Sequence, residues 1–202
     1  MSEGLRARLE QRIPEVERRT FLRYSLIGMT AAGLGGFSVA AIGQLWPNVS
    51  GAFGADIAVG PAADILEGIL SERRPLEFPA GRMYVTAWNP SVPGAVDSYG
   101  EHHVQIDGSN GLMALYQKCV HLGCRVPWCQ SSQWFECPCH GSKYNKWGEW
   151  NSGPAPRGLD RFPSRVDDNG TLVVSTGTIL TGPARTARVL QQEPEGPHCV
   201  DL

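Results

Sequence analysis

"CVHLGCRVPWCQSSQWFECPCHGSKY", residues 119 to 144, holds five of the chain's six cysteines and two of its five histidines. They fall in two boxes, each compressed into one turn: Cys119-x-His121 followed by Cys124, and Cys137-x-Cys139-His140. Four cysteines and two histidines exceed what one tetrahedral site accepts. Three assignments compete. A zinc site would use four of the six, although structural zinc cysteines are usually spaced as C-x2-4-C. Disulfides alone would leave the histidines without a role. The third takes two ligands from each box around a two-iron, two-sulfur cluster and joins the leftover cysteine of each box in a disulfide.

Around these boxes the sequence reads as short strands. Twenty-four Gly and fifteen Pro in 202 residues, with little helical periodicity, indicate turns and strands. Short alternating runs with strand character are "RMYVTAW" (82 to 88), "GLMALYQ" (111 to 117), "WFEC" (134 to 137) and "TLVVST" (171 to 176). The class expected is mainly β. A net charge of −2 without a clustered basic face argues against a nucleic-acid partner.

Toward the N-terminus, Tyr24 to Trp46 runs twenty-three residues without a charge, and a helix of about twenty such residues crosses a bilayer. A buried core helix or a cleaved signal would show the same run. Gly28, Ala31, Ala32, Gly35, Gly36, Ala40 and Gly43 suit close helix contacts within a larger membrane assembly. Arg6, Arg8, Arg12, Arg18, Arg19 and Arg23 precede the run, and no Lys or Arg follows until Arg73. The positive-inside rule therefore puts the N-terminus in the cytoplasm and the rest outside. "RRTFLR" (18 to 23) resembles a twin-arginine export signal, a route for proteins that leave the cytoplasm already folded. The expected location is the bacterial inner membrane, with an uncleaved single-pass anchor.

The expected organisation is an N-terminal segment (1–23), the membrane helix (24–46), a flexible glycine-containing hinge (47–60), a head (61–181) with a cluster-binding subdomain over about 117–160, and a tail (182–202). Residues 89 to 110 read as a Pro/Gly/Ser-rich insertion, with His102 and His103 facing solvent on it.

"CVHLGC" and "CPCHGS" resemble the two boxes of the Rieske iron-sulfur proteins, in the disulfide-containing branch from quinol-oxidising cytochrome bc and b6f complexes. Fifteen residues between His121 and Cys137, with "VPW" after the first box, look most like the b6f-type and related bacterial subunits. The resemblance implies an antiparallel β-sandwich head with a small cluster-binding subdomain and a [2Fe-2S] cluster. It makes Cys119 and Cys137 ligands of one iron, His121 and His140 ligands of the other, and Cys124–Cys139 a disulfide between the loops. It gives Ser142 and Tyr144 the role of donors to sulfur that tune the potential, and Gly153, Pro154, Ala155 and Pro156 that of a loop covering the cluster. Replacing two thiolates by neutral imidazoles favours the reduced state, raising the potential from about −400 mV toward about −150 to +300 mV.

The implied function is electron transfer from quinol, hydrogen-bonded to His140 at a cytochrome b subunit, to a c-type cytochrome subunit, coupled to proton translocation. The whole would be a quinol:cytochrome c or quinol:plastocyanin oxidoreductase, and the setting is a dimeric multi-subunit complex. A second reading is the small subunit of a periplasmic molybdenum oxidoreductase such as arsenite oxidase. Tyr144 and the Cys124/Cys139 pair count against it. Trp128, Trp134, Trp147 and Trp150 near the boxes suit packing beneath the cluster loops better than stacking on nucleic acid. Cys129 and Cys199 depart from the family pattern; they pair with each other, stay free or bond a partner.

Overall fold

The computed structural model describes residues 17–45 and 53–201. They belong to two bodies, one within Met1–Asn48 and one within Val49–Leu202. The first contains helix α1 (Arg18–Leu45), 28 residues in which no side chain is buried. At about 1.5 Å per residue it is about 42 Å long, more than the roughly 30 Å of bilayer hydrocarbon. Two of its hydroxyls bond inside the helix, Thr30 to the Leu26 carbonyl and Ser38 to that of Leu34, both at 2.8 Å. Bonded to the helix's own carbonyls, these two hydroxyls need no partner from lipid.

The second body is built from antiparallel sheets. The first sheet orders β1 (Asp56–Pro61), β12 (Thr171–Ser175) and β11 (Ser164–Val166). The second runs β10 (Arg161–Phe162), β5 (Gly111–Tyr116), β3 (Met83–Trp88) and β2 (Leu76–Phe78), with β4 (Val104–Gln105) also paired to β5. The third runs β6 (Trp128–Cys129), β7 (Trp134–Glu136), β8 (Lys143–Tyr144) and β9 (Trp150–Ser152). The β3–β5 ladder extends unbroken from Met83↔Tyr116 to Trp88↔Gly111. Both strands are buried almost throughout rather than on alternate residues, because successive side chains enter the two cores on opposite faces of the sheet.

Two hydrophobic cores result. One lies under the first two sheets around Ile57, Met83, Val85, Leu112, Phe162 and Leu172. It is closed by helix α2 (Ala62–Glu72), whose Ala62, Leu66 and Ile69 are buried on one face. The other joins the second and third sheets through Tyr84, Leu115, Phe135, Tyr144 and Leu159. Each such side chain contributes about 1.5–3 kcal/mol on burial. The third sheet thus rests on the second, and the loops at its end carry both boxes.

Three sequence expectations change. The hinge expected over 47–60 lies outside the described residues up to 52, and from 53 onward the chain is part of the folded body. Phe53 stacks on Tyr116 at 5.6 Å, the Gly54 N–H donates to Thr176 Oγ1 at 2.8 Å, and β1 pairs with β12. Residues 56–60 are a strand because their partner supplies the ladder bonds a free linker would take from water. The insertion holds a short helix, α3 (Ala95–Tyr99), and buries Ala95 and Tyr99. His103 does not face solvent: it is buried at 6 % exposure.

Candidate metal centre

The two boxes fold alike. In the first, Cys119 N–H bonds the Cys124 carbonyl at 2.7 Å and Gly123 N–H bonds that of Cys119 at 2.9 Å. In the second, Cys137 N–H bonds the Ser142 carbonyl at 2.9 Å and Gly141 N–H bonds that of Cys137 at 3.1 Å. The fifth residue of each loop is a glycine with φ of 88° or 72°, in the left-handed region that closes the turn. The shared pattern matches Cys119 with Cys137, His121 with Cys139, and Leu122 with His140.

The loops bring together all six expected cluster and disulfide residues. Cys124 and Cys139 are bonded to one another across 15 positions of sequence. Cys119 and Cys137 stay free and are buried. The rings of His121 and His140 meet edge to face with centroids 4.8 Å apart; His121 is half-buried and His140 exposed. The donors are therefore two buried thiols on one side and two imidazoles toward the surface.

Burial pushes the Cys137 thiol up, and the hydrogen bond with Cys119 adds to the shift. A buried pair of thiols losing protons needs a cation to take the charge. The arrangement fits a [2Fe-2S] cluster, in which two thiolates would bind one iron and two neutral imidazoles the other. By donor count alone, the same two free thiols and two imidazoles would also complete a tetrahedral zinc site.

Around the donors stand the expected tuning groups. Tyr144 is fully buried, with its hydroxyl 3.2 Å from Cys119 Sγ, and burial holds that phenol protonated. Ser142 Oγ accepts the Ala155 N–H at 3.0 Å, leaving its own proton free to donate elsewhere. Gly153, Pro154, Ala155 and Pro156 run over this serine. A Cβ on Gly153 would sit 2.5 Å from Ser142 Cα, so only glycine permits the approach.

The tryptophans have internal partners. Trp128 stacks edge-on against Phe135 at 5.0 Å, Trp147 donates to the Ala87 carbonyl at 2.7 Å, Trp134 lies beside His198 at 5.3 Å, and Trp150 lies under Arg185 at 4.4 Å. They form no open stacking face.

Sequence reasoning left one feature of the surroundings open and missed another. Cys129 is bonded to Cys199 across 70 positions, one of the alternatives left open. Glu136, next to Cys137, is buried and accepts from Ser132 Oγ (2.6 Å), His198 Nδ1 (2.7 Å), and the Cys199 and Val200 N–H groups (2.8 Å each). Those donors hold its carboxyl below the usual range against the opposing effect of burial. The sequence signal was a lone Glu inside an apolar strand.

The Rieske [2Fe-2S] domain model matches residues 84–163 of this chain. The cytochrome b6-f complex iron-sulfur subunit 2 of Synechocystis is 31 % identical over 170 residues, 82 % of this chain and 88 % of that protein. The cytochrome b6-f complex iron-sulfur subunit of Chlorobaculum tepidum is 29 % identical over 170 residues, 80 % of this chain and 76 % of that protein. Among solved structures, the plasma membrane Rieske protein PetC3 of Synechocystis is 26 % identical over 58 % of this chain and 97 % of that one, with a TM-score of 0.37.

Proposed function

The chain belongs to the Rieske iron-sulfur proteins and its cofactor is a [2Fe-2S] cluster; from that premise we propose that it is the electron-transfer subunit of a membrane quinol:cytochrome oxidoreductase. The observation that carries the reading is the pair of matched loops presenting two free buried thiols and two facing imidazoles, tied by Cys124–Cys139. Cys119 and Cys137 would hold one iron and His121 and His140 the other. When bound, the cluster supplies a one-electron acceptor of potential high enough to oxidise a quinol.

The remaining chemistry belongs to the chain. His140, exposed at the loop tip, is placed to accept a quinol hydroxyl at a site completed by a cytochrome b subunit. Leu122, 71 % exposed beside His121, offers an apolar contact there. Tyr144 and Ser142 stabilise added negative charge on sulfur by donating to it. The covering loop 153–156 keeps water from the Ser142 side, while the Cys124–Cys139 disulfide, half-buried at Cys124 and exposed at Cys139, ties the two loops together. Helix α1 anchors the chain in the inner membrane, with the head on the extracytoplasmic side, where both disulfides persist. Residues 47–52 would tether the head so that it reaches a c-type cytochrome partner, and turnover would be coupled to proton translocation.

Isolation of the tagged chain from native membranes tests this. Cytochromes b and c should accompany it, and the isolate should reduce a c-type cytochrome when given quinol. A molybdopterin subunit in their place would sink the reading.

A further inference from the structure

The C-terminal segment begins its path beside the covering loop. The Gly158 N–H donates to the Pro183 carbonyl at 2.8 Å, and Arg157 bridges antiparallel to Ala184. That backbone pairing sets the register of the next residue, Arg185, against the loop. Arg185 Nε donates to the Ala155 carbonyl at 2.7 Å and its Nη2 to the Gly153 carbonyl at 3.2 Å. The guanidinium is seated on Trp150, whose own Nε1 donates to the Gly153 carbonyl at 3.2 Å. On its other side, fully buried Ala155 gives its N–H to Ser142 Oγ. A continuous chain of contacts thus leads from the exposed Arg185 to a buried hydroxyl at the second box.

We propose that Arg185 is a positioning residue for the cluster site: through the Gly153 and Ala155 carbonyls it holds the covering loop so that the Ala155 N–H occupies one lone pair of Ser142. A serine hydroxyl has one proton and two lone pairs. With one lone pair taken from the loop side, the proton is left for an acceptor on the opposite side, where the reading of Ser142 puts a sulfur atom. Lysine cannot substitute fully, because two carbonyls and an indole face are met at once only by a planar fork. The proposal rests on the reading of Ser142 as a donor to sulfur.

The test is a double-mutant cycle on the full-length protein with its cluster, followed by redox titration. Ser142→Ala should lower the midpoint potential, Arg185→Gln should lower it by less, and Arg185→Lys should recover part of the loss. In the Ser142→Ala background Arg185→Gln should add nothing. Amide exchange at Ala155 should quicken in Arg185→Gln, with or without cluster. An Arg185→Gln effect that persists undiminished in the Ser142→Ala background would show a direct charge effect and overturn the proposal, as would an unchanged midpoint in Arg185→Gln alone. If Ser142→Ala itself leaves the midpoint unchanged, the reading of Ser142 fails first and the proposal with it.

Discussion

The hydroxyl of Tyr144 sits 3.2 Å from Cys119 Sγ, joining β8 of the third sheet to the opposite cluster loop. The phenol is fully buried, so its proton has no competing water. A thiolate gains from that donor, and a cluster with more charge on sulfur gains more.

Tyr144→Phe keeps the ring in the core and removes only the proton. A single hydrogen bond of this kind is worth about 1 kcal/mol net, which for a one-electron couple is roughly 40 mV. The midpoint should fall by up to about that amount, since only the part of the bond that strengthens on reduction counts, with iron content unchanged. Redox titration followed by EPR measures it, and an unaltered midpoint would take Tyr144 out of the tuning set.

Cys137 and Cys139 lie two residues apart and have opposite fates, one free and buried, the other in a disulfide. Cys137→Ser should therefore abolish the cluster spectrum. Cys139→Ser should leave a cluster that is more labile and lower in potential, since a cross-link over 15 positions contributes about 3 kcal/mol in the chain-entropy account. Iron analysis and the visible spectrum separate the two outcomes, and indistinguishable variants would contradict the division between ligand and cross-link.

The strands at 83–88, 111–116, 134–136 and 171–175 were legible because each is an apolar run bounded by turn residues. The boxes were legible because so many metal ligands in so few residues have few other uses. Helix α2 was not read, although Leu66 and Ile69 fall three apart on one face; its eleven residues are too short to stand out beside strands. The C-terminal segment had no period to find. Its contacts are single bonds to distant residues, such as Gln192 to the Lys146 N–H and Glu149 to the Val189 and Leu190 N–H groups. Such pairings are set by the fold of the partner and leave no pattern in the segment itself.

His103 shows what the insertion conceals. Its Nδ1 is buried without a hydrogen-bond partner among the described residues, and its basicity falls to a pKa of about 3 through burial, with Arg161 and His102 adding repulsion. The folded value lies below the unfolded one of about 6.5, so the neutral ring is the form the fold accepts. Stability is then fully present above about pH 6.5 and declines as pH falls toward 3, by up to about 1.4 kcal/mol per unit. Denaturant unfolding between neutral and mildly acidic pH should show that slope reduced in His103→Leu. Equal slopes in the two proteins would mean that the histidine is not the titrating group.

The second disulfide permits a prediction about stability apart from redox tuning. Cys129–Cys199 closes 70 positions, for which chain entropy gives roughly 4 kcal/mol as an upper figure. Glu136 is anchored at the same place, and three of its four donors (His198 Nδ1 and the N–H groups of Cys199 and Val200) come from the tail. Opening the link by Cys199→Ser frees those donors and leaves a buried carboxylate with Ser132 alone, at a further cost of about 1–3 kcal/mol unless β7 loosens to let water in. The variant should unfold at distinctly lower urea concentration than the wild type in oxidising buffer, and amides of residues 132–136 should exchange faster. The midpoint potential should hold, because Arg185, Ala155 and Ser142 are gripped at the other end of the same segment. A midpoint that drops along with stability would mean that the tail acts on the cluster as one rigid unit, and unchanged unfolding would mean that the link adds nothing to the fold.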